Sequence, residues 1–324
     1  MLENMDNQES GGRDQECAFL LLIHDDPEHA ERICRQLRRY SVFVHVDAKS
    51  VEFPIERLAA LSNVTIIPER KAVYWAGFAM VEATLALLRA ALASGKAFNR
   101  FVLMSGSCYP IKPIERLEQL FESEPEKEFI NLVAIPPAGH LRKLIGRRWC
   151  MEPWLPWRLL AITPPIMAST EKMVRRIYNK VASRIPRRLE VEIVGMQPYF
   201  GSQWWALTRD CVVYILSFVE KHPEVTRAYR SVWAPDEHFF QTIVGNSPFG
   251  SRAIAGKEGL DELSLYDAPL HFVFYRLERN ATNDLEDFMR IRESPKYFAR
   301  KFRSKANSET LDRIDRELLG PMQS

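Results

Sequence analysis

No run of about eighteen consecutive apolar residues occurs in the 324-residue chain, so no segment is expected to span a bilayer. Cysteine is scarce and unpatterned. Cys17, Cys34, Cys108, Cys150 and Cys211 are odd in number and lack CxxC or zinc-site spacing. Reduced, mostly buried thiols and a cytoplasmic protein are expected on that ground. A surplus of one charge is lacking too: 44 basic and 42 acidic residues leave a net charge of +2. Nonspecific attraction to nucleic acid is therefore not expected. The phosphate-cradling patterns GxGxxG and GxxxxGK[ST] are absent, as is the GxSxG nucleophile elbow. A Rossmann-type oxidoreductase and a serine hydrolase are both set aside. The polar, acidic opening MLENMDNQESGGRDQE lacks the apolar stretch of a signal peptide, and residues 1–16 are expected to be a disordered leader.

What is present is ordinary for a globular protein, 46% apolar and 27% charged, and long enough for an ample core. Over the first 135 residues, short apolar runs alternate with helical patterns. CAFLLLIH (17–24), SVFVHVD (41–47), NVTIIP (63–68), RFVLMSG (100–106) and EFINLVAI (128–135) predict strands. PEHAERICRQLRR, AGFAMVEATLALLRAALAS and IERLEQLFES predict helices between them. The alternation predicts an α/β fold with a mostly parallel sheet covered on both faces. Ligands of such sheets bind beyond the strands' carboxyl ends, where His24, Asp25, Asp47, Lys49, Ser105 and Ser107 fall. Residues 136–200 are rich in Pro, Trp and Arg and are expected to form an irregular insertion with one helix near 170–183. Order returns in 201–223 (a strand, then a helix), in the strand 269–277 and in SPKYFARKF (294–302). The remainder, 304–324, is a polar tail expected as a surface helix.

The stretch SVWAPDEHFFQTIV (231–244) sets two carboxylates after a proline and before an apolar stripe. Pro235 predicts a helix start, with Asp236 and Glu237 in its first turn, where the dipole favours acids. Helical spacing turns Phe239, Phe240, Ile243 and Val244 inward, with Asp236 near the middle of that stripe and Glu237 at its edge. Dipole complementation alone would suffice for an exposed pair. Acids on a buried side need a partner or a task, and a general base is one.

In chain order, HVDAKS, VYWAGFAMVEATLALLRAAL, FVLMSGSCYPIK, GSQWWALTRDCVVYIL, WAPDEHFFQTIV and YFARKF resemble the blocks of the core-2/I-branching enzyme family. This is glycosyltransferase family 14, which also holds the peptide O-xylosyltransferases. The likeness covers residues 17–303. It implies one GT-A-like domain, with a nucleotide-binding half at 17–135 and an acceptor and catalytic half at 136–303. It further implies a UDP-sugar donor (GlcNAc or xylose), a glycan or peptide-linked hydroxyl acceptor, inversion at the anomeric carbon and no metal cofactor. The absence of any Asp-x-Asp agrees with the last point, since most GT-A enzymes hold their metal through that motif.

By this resemblance Glu237 is the catalytic base and Asp236 orients the helix start. Lys301 and Arg276, with Arg279 as a rival, neutralise the leaving diphosphate. Asp47 contacts the nucleoside, with turn capping as the alternative. Trp75 walls the donor site or belongs to the core. Arg147 and Arg148 of the insertion are candidate acceptor contacts, beside Arg142 and Lys143. So are Trp204 and Trp205, of which one is expected in the core and the other in the cleft. Ser107 stands where many animal members carry an acid. The chain departs from Golgi members in having no membrane anchor and no disulfide set. It therefore resembles a bacterial member acting on a soluble or lipid-linked glycan, with peripheral membrane contact through such an acceptor. A non-catalytic glycan- or nucleotide-binding protein is the alternative, and the presence of both Glu237 and Lys301 favours the enzyme.

Overall fold

The computed structural model describes residues 17–185, 192, 195–255, 268–274 and 285–320. Its strands are β1 (Cys17–Ile23), β2 (Ser41–Val46), β3 (Val64–Ile66), β4 (Arg100–Ser105), β5 (Cys108–Pro110) and β6 (Glu128–Ala134). They continue with β7 (Tyr199–Phe200), β8 (Ala206–Thr208), β9 (Ala253–Ala255), β10 (His271–Val273) and β11 (Phe298–Arg300). The main sheet has the order β3-β2-β1-β4-β8-β6-β7, with β9 beside β6. The strands β3, β2, β1 and β4 are parallel; β8 runs against both β4 and β6, and β7 against β6. A second sheet, β10-β11-β5, was not apparent in the sequence.

Period-two alternation sorts the buried side chains onto the two faces of this sheet. Leu20 and Leu22 of β1 join Phe43, Phe101 and Leu103 on one face, beneath helix Ala79–Ala93. Phe19, Leu21 and Ile23 point the other way with Val42, Val44 and Met104, toward helices Pro27–Gln36 and Ile114–Ser123. Each such side chain contributes about 1.5–3 kcal/mol when fully buried. Strands covered on both faces explain why β1 reads as an unbroken apolar run.

Three expectations need correcting. The insertion is more helical than its composition suggested, carrying His140–Ile145, Trp157–Ile162 and Pro165–Ala182. Three of its eight prolines, Pro156, Pro164 and Pro165, stand at the starts of helices, where a missing N–H costs nothing. Pro235 does not open one continuous helix either. Pro235–Glu237 is a separate 3-10 turn, and His238 (φ −132°) breaks the chain before helix Phe239–Gly245. Finally, the polar tail is bound into the body through helix Ser308–Ile314, whose Leu311 and Ile314 are fully buried. Asp315 there accepts from Arg32 (2.5 Å), Tyr109 Oη (2.7 Å) and Gln36 (2.8 Å). The leader, residues 1–16, lies outside the described residues.

Candidate active site

The carboxyl ends of β1, β2 and β4 are cross-tied by backbone. Asp47 N–H donates to Ile23 O (2.8 Å) and Gly106 N–H to Leu22 O (2.7 Å). The chain leaving β11 crosses these ends: Phe302 N–H reaches Ser107 O (2.9 Å), Arg303 pairs with Asp25, and Ser304 N–H donates to Asp26 (2.8 Å). Beside β1 and β2 lies an open depression of about 460 Å³, lined by His24, Asp25, Pro27, Lys49, Ser50 and Phe53 among others. Its position suits a ligand at strand ends.

Asp47 is buried and paired with Lys49 of the depression's lining, and its carboxylate is already occupied. One oxygen accepts from Lys49 N–H (2.8 Å) and Val73 N–H (3.4 Å), the other from Lys49 Nζ (2.6 Å). Lys49 Nζ also donates to Val73 O and lies 4.6 Å from the Tyr74 ring centroid. Asp47 therefore ties the turn after β2 to the loop that carries Tyr74 and Trp75.

The acid turn is built differently. Ala234, with φ 45°, bends the chain into Pro235–Glu237, and Gly201 N–H donates to Glu237 O (3.0 Å). Gly201 has no alternative: a Cβ there would come within 2.1 Å of Asn131 O on β6. Gln241 donates to Ser202 O (2.9 Å), clamping the 201–204 loop against helix Phe239–Gly245. Pairing of Val102 with Ala206 and of Leu103 N–H with Trp205 O carries Trp204 to the carboxyl end of β4.

Arg300, the last residue of β11, lays its guanidinium 4.5 Å from the Trp204 ring centroid. Its buried Nε has no hydrogen-bond partner among the described residues. Beside Trp204, with ring centroids 6.0 Å apart, lies buried His271, whose pKa burial pushes well below its usual value, helped by Arg300 and Lys296. A neutral imidazole thus neighbours the Arg300–Trp204 pair.

Asp236 and Glu237 are largely enclosed by protein, though each keeps part of its surface exposed. Burial raises both pKa values above the carboxylate range. Glu237 is raised further by its neighbour Asp236, and Arg300 draws both back down. The result is a pair of carboxyls that hold protons more tightly than usual and face, among the described residues, a single cation. A carboxylate tuned upward is a stronger base once ionised.

Aromatic rings cluster just before the acid turn. Trp233, two residues before Pro235, meets Trp75 edge-on at 5.0 Å and Trp149 at 5.2 Å. Trp149 N–H donates to Ser231 O (2.9 Å), so the insertion is clipped to the segment leading into the acid turn. Glu152 fastens it again, accepting from Ala79 N–H (2.6 Å) at the start of helix Ala79–Ala93.

Among the residues the sequence proposed, Glu237 and Trp204 come together around Arg300, with Lys301 half-buried next in the chain. Trp205 does not join them. It is fully buried against Phe240, because its place on the approach to β8 turns it into the core. Arg147 is half-buried and Arg148 exposed in the insertion, while Arg142 pairs with Glu192. Arg276 and Arg279 lie outside the described residues. Arg300 and Trp233 were missed, although each stands inside a block already singled out, YFARKF and WAPDEHFFQTIV.

The family model described as Branch, core-2/I-branching enzyme, matches residues 17–145 and 164–258. The chain belongs to that family. Among curated relatives, mouse xylosyltransferase 2 is 23% identical over 97% of this chain and 35% of its own length. Human xylosyltransferase 1 is 24% identical over 94% of this chain and 30% of its own. This family member thus spans about a third of the length of the curated relatives it matches. Mouse xyloside xylosyltransferase 1 in its apo form aligns over 87% of this chain and 96% of that one, at 12% identity and a TM-score of 0.31. So distant a likeness carries nothing further.

Proposed function

We propose that this core-2/I-branching family member is an inverting, metal-independent glycosyltransferase with a GT-A-like domain. It moves GlcNAc or xylose from a UDP-sugar to a hydroxyl of a glycan or a glycosylated peptide. The observation that carries the reading is the enclosed carboxylate of Glu237, beside Asp236 and facing Arg300. The relatives are named as xylosyltransferases, which favours sugar transfer over binding alone.

In this reading Glu237 takes the proton of the acceptor hydroxyl as its oxygen attacks the anomeric carbon. The bond from that carbon to the β-phosphate oxygen breaks, and UDP leaves with the electron pair. One displacement inverts the centre. The charge that develops on the diphosphate meets Arg300 and Lys301, with Arg276 or Arg279 as a further cation, in place of a metal ion. The Nε of Arg300, without a hydrogen-bond partner among the described residues, supports this role, since a buried donor left unpaired is costly unless something arrives to satisfy it.

The donor's nucleoside would occupy the depression at β1 and β2. Asp47 holds Lys49, which lines that depression, and Lys49 in turn lies against the Tyr74 ring. The acceptor would come in along Trp233, Trp75 and Trp149, whose rings can stack on sugar faces, with Arg147 and Arg148 beyond.

The test is UDP release from a panel of UDP-sugars, with and without a saccharide acceptor, in EDTA and in manganese. Release from one donor that persists in EDTA is expected. Activity abolished by chelation and restored by manganese would sink metal independence. No release from any donor would favour a binding protein.

A further inference from the structure

Helix Pro165–Ala182 is mounted the wrong way round for a soluble protein. Its apolar residues Ile166, Met173, Val174, Ile177, Tyr178 and Val181 fall on one stripe at helical spacing, and all are exposed. The face against the body is small and polar instead. Ala168, Glu171, Arg175, Asn179 and Ala182 recur at spacings of three and four and are the partly or fully buried positions. These polar groups are engaged. Asn179 both accepts from Cys150 N–H (2.7 Å) and donates to Cys150 O (2.9 Å), and Arg175 donates to Met151 O (2.5 Å). Glu171 lies 3.3 Å from Arg175. The orientation is thus fixed by hydrogen bonds and leaves the apolar stripe outward. The preceding helix Trp157–Ile162 adds Ile162, 80% exposed, and the loop before it Trp154, 53% exposed.

Charge lies beside this stripe. Lys172, Arg176 and Lys180 follow one another at a spacing of four along one edge and are exposed. Between residues 147 and 185 eight basic side chains stand against two acidic ones, a surplus of six, whereas the whole chain has a surplus of two. Both acids are turned inward, Glu171 toward Arg175 and Glu152 onto Ala79 N–H. The outward face is therefore apolar with a purely basic border.

We propose that this face lies on an anionic lipid surface, with the helix in the plane of the headgroups. Apolar side chains enter the acyl boundary, Lys172, Arg176 and Lys180 meet lipid phosphates, and Trp154 and Tyr178, whose rings touch edge-on at 6.1 Å, sit at headgroup level. A second copy in an antiparallel two-fold contact fits less well, because that contact would bring the like-charged borders together. The proposal is independent of the chemistry assigned to Glu237.

Co-sedimentation of the full chain with phosphatidylcholine vesicles, with and without phosphatidylglycerol, tests it. Binding to the anionic vesicles is expected, weakening as salt is raised. The triple variant Lys172→Glu, Arg176→Glu, Lys180→Glu and the double variant Ile166→Asp, Ile177→Asp should each lose at least tenfold in partitioning. Their thermal unfolding should match the parent, because all five positions are exposed. Three outcomes would overturn the proposal: no binding by the parent chain, equal binding by parent and variants, or a dimer in size-exclusion chromatography that Ile177→Asp dissolves without any vesicle binding. The last would assign the face to a second copy.

Discussion

Asp47 and the Asp236–Glu237 pair are both enclosed carboxylates near strand ends, and the fold treats them in opposite ways. Asp47 is answered where it stands, by two backbone N–H groups and the Lys49 ammonium. Its charge is used up in holding the loop that carries Tyr74 and Trp75. Among the described residues, the acid turn has only Arg300 to answer two carboxyls, and burial lifts both pKa values above their usual range. An acid whose charge is satisfied locally acts as structure. One left short of partners keeps its affinity for protons available for chemistry.

Removing the proposed base gives the sharpest contrast. Glu237→Gln keeps the side chain's size and removes its basicity, so turnover should fall by about two to four orders of magnitude. UDP affinity should hold, because the diphosphate is assigned to Arg300 and Lys301. Steady-state rates together with UDP calorimetry check both halves. Near-normal turnover would remove Glu237 as the base and make Asp236 the next candidate.

Arg300 comes next, because it is the cation that tunes the pair. Arg300→Met keeps much of the packing on Trp204 but removes the pull that favours ionised carboxyls. Both pKa values should rise further. The acid limb of kcat/KM should move to higher pH, and UDP affinity should fall about tenfold, the range expected when a charge-assisted contact is lost. A pH–rate profile with an unmoved acid limb would separate Arg300 from the base.

The parallel strands were legible because burial on both faces leaves long apolar runs, as in β1. The acid turn was legible through proline and the stripe from Phe239 to Val244, although the break at His238 was not, since a single φ value leaves no mark on composition. Arg300 was hidden for another reason. Its meaning comes from Trp204, distant in sequence, and from a three-residue strand too short for periodicity to show. Trp205 illustrates the same limit: adjacent tryptophans look alike until the pairing of β8 with β4 decides which one turns inward. The insertion's amphipathic helix has a clear spacing, but spacing cannot tell which face meets the protein.

The smallest effect, one of stability, puts the two sites on one scale with opposite signs. Asp47→Asn removes the charged partner of Lys49 Nζ and weakens the turn after β2, at a cost of about 1–3 kcal/mol. Glu237→Gln should do the reverse. A carboxyl whose pKa is raised in the folded state binds more protons there than in the unfolded chain. Stability therefore falls as pH climbs from the ordinary carboxylate value, near pH 4, until the pair has ionised in the fold. The Gln variant escapes that loss at position 237. Its gain should be negligible at about pH 4 and grow through neutrality to about 1–2 kcal/mol, since a tenfold change in proton affinity is worth about 1.4 kcal/mol and the residue's partial exposure lets solvent recover part of it. Urea unfolding of the parent and both variants across this range measures the divergence directly. A Glu237→Gln variant less stable than the parent at every pH would show that this carboxylate, like that of Asp47, is held for structure.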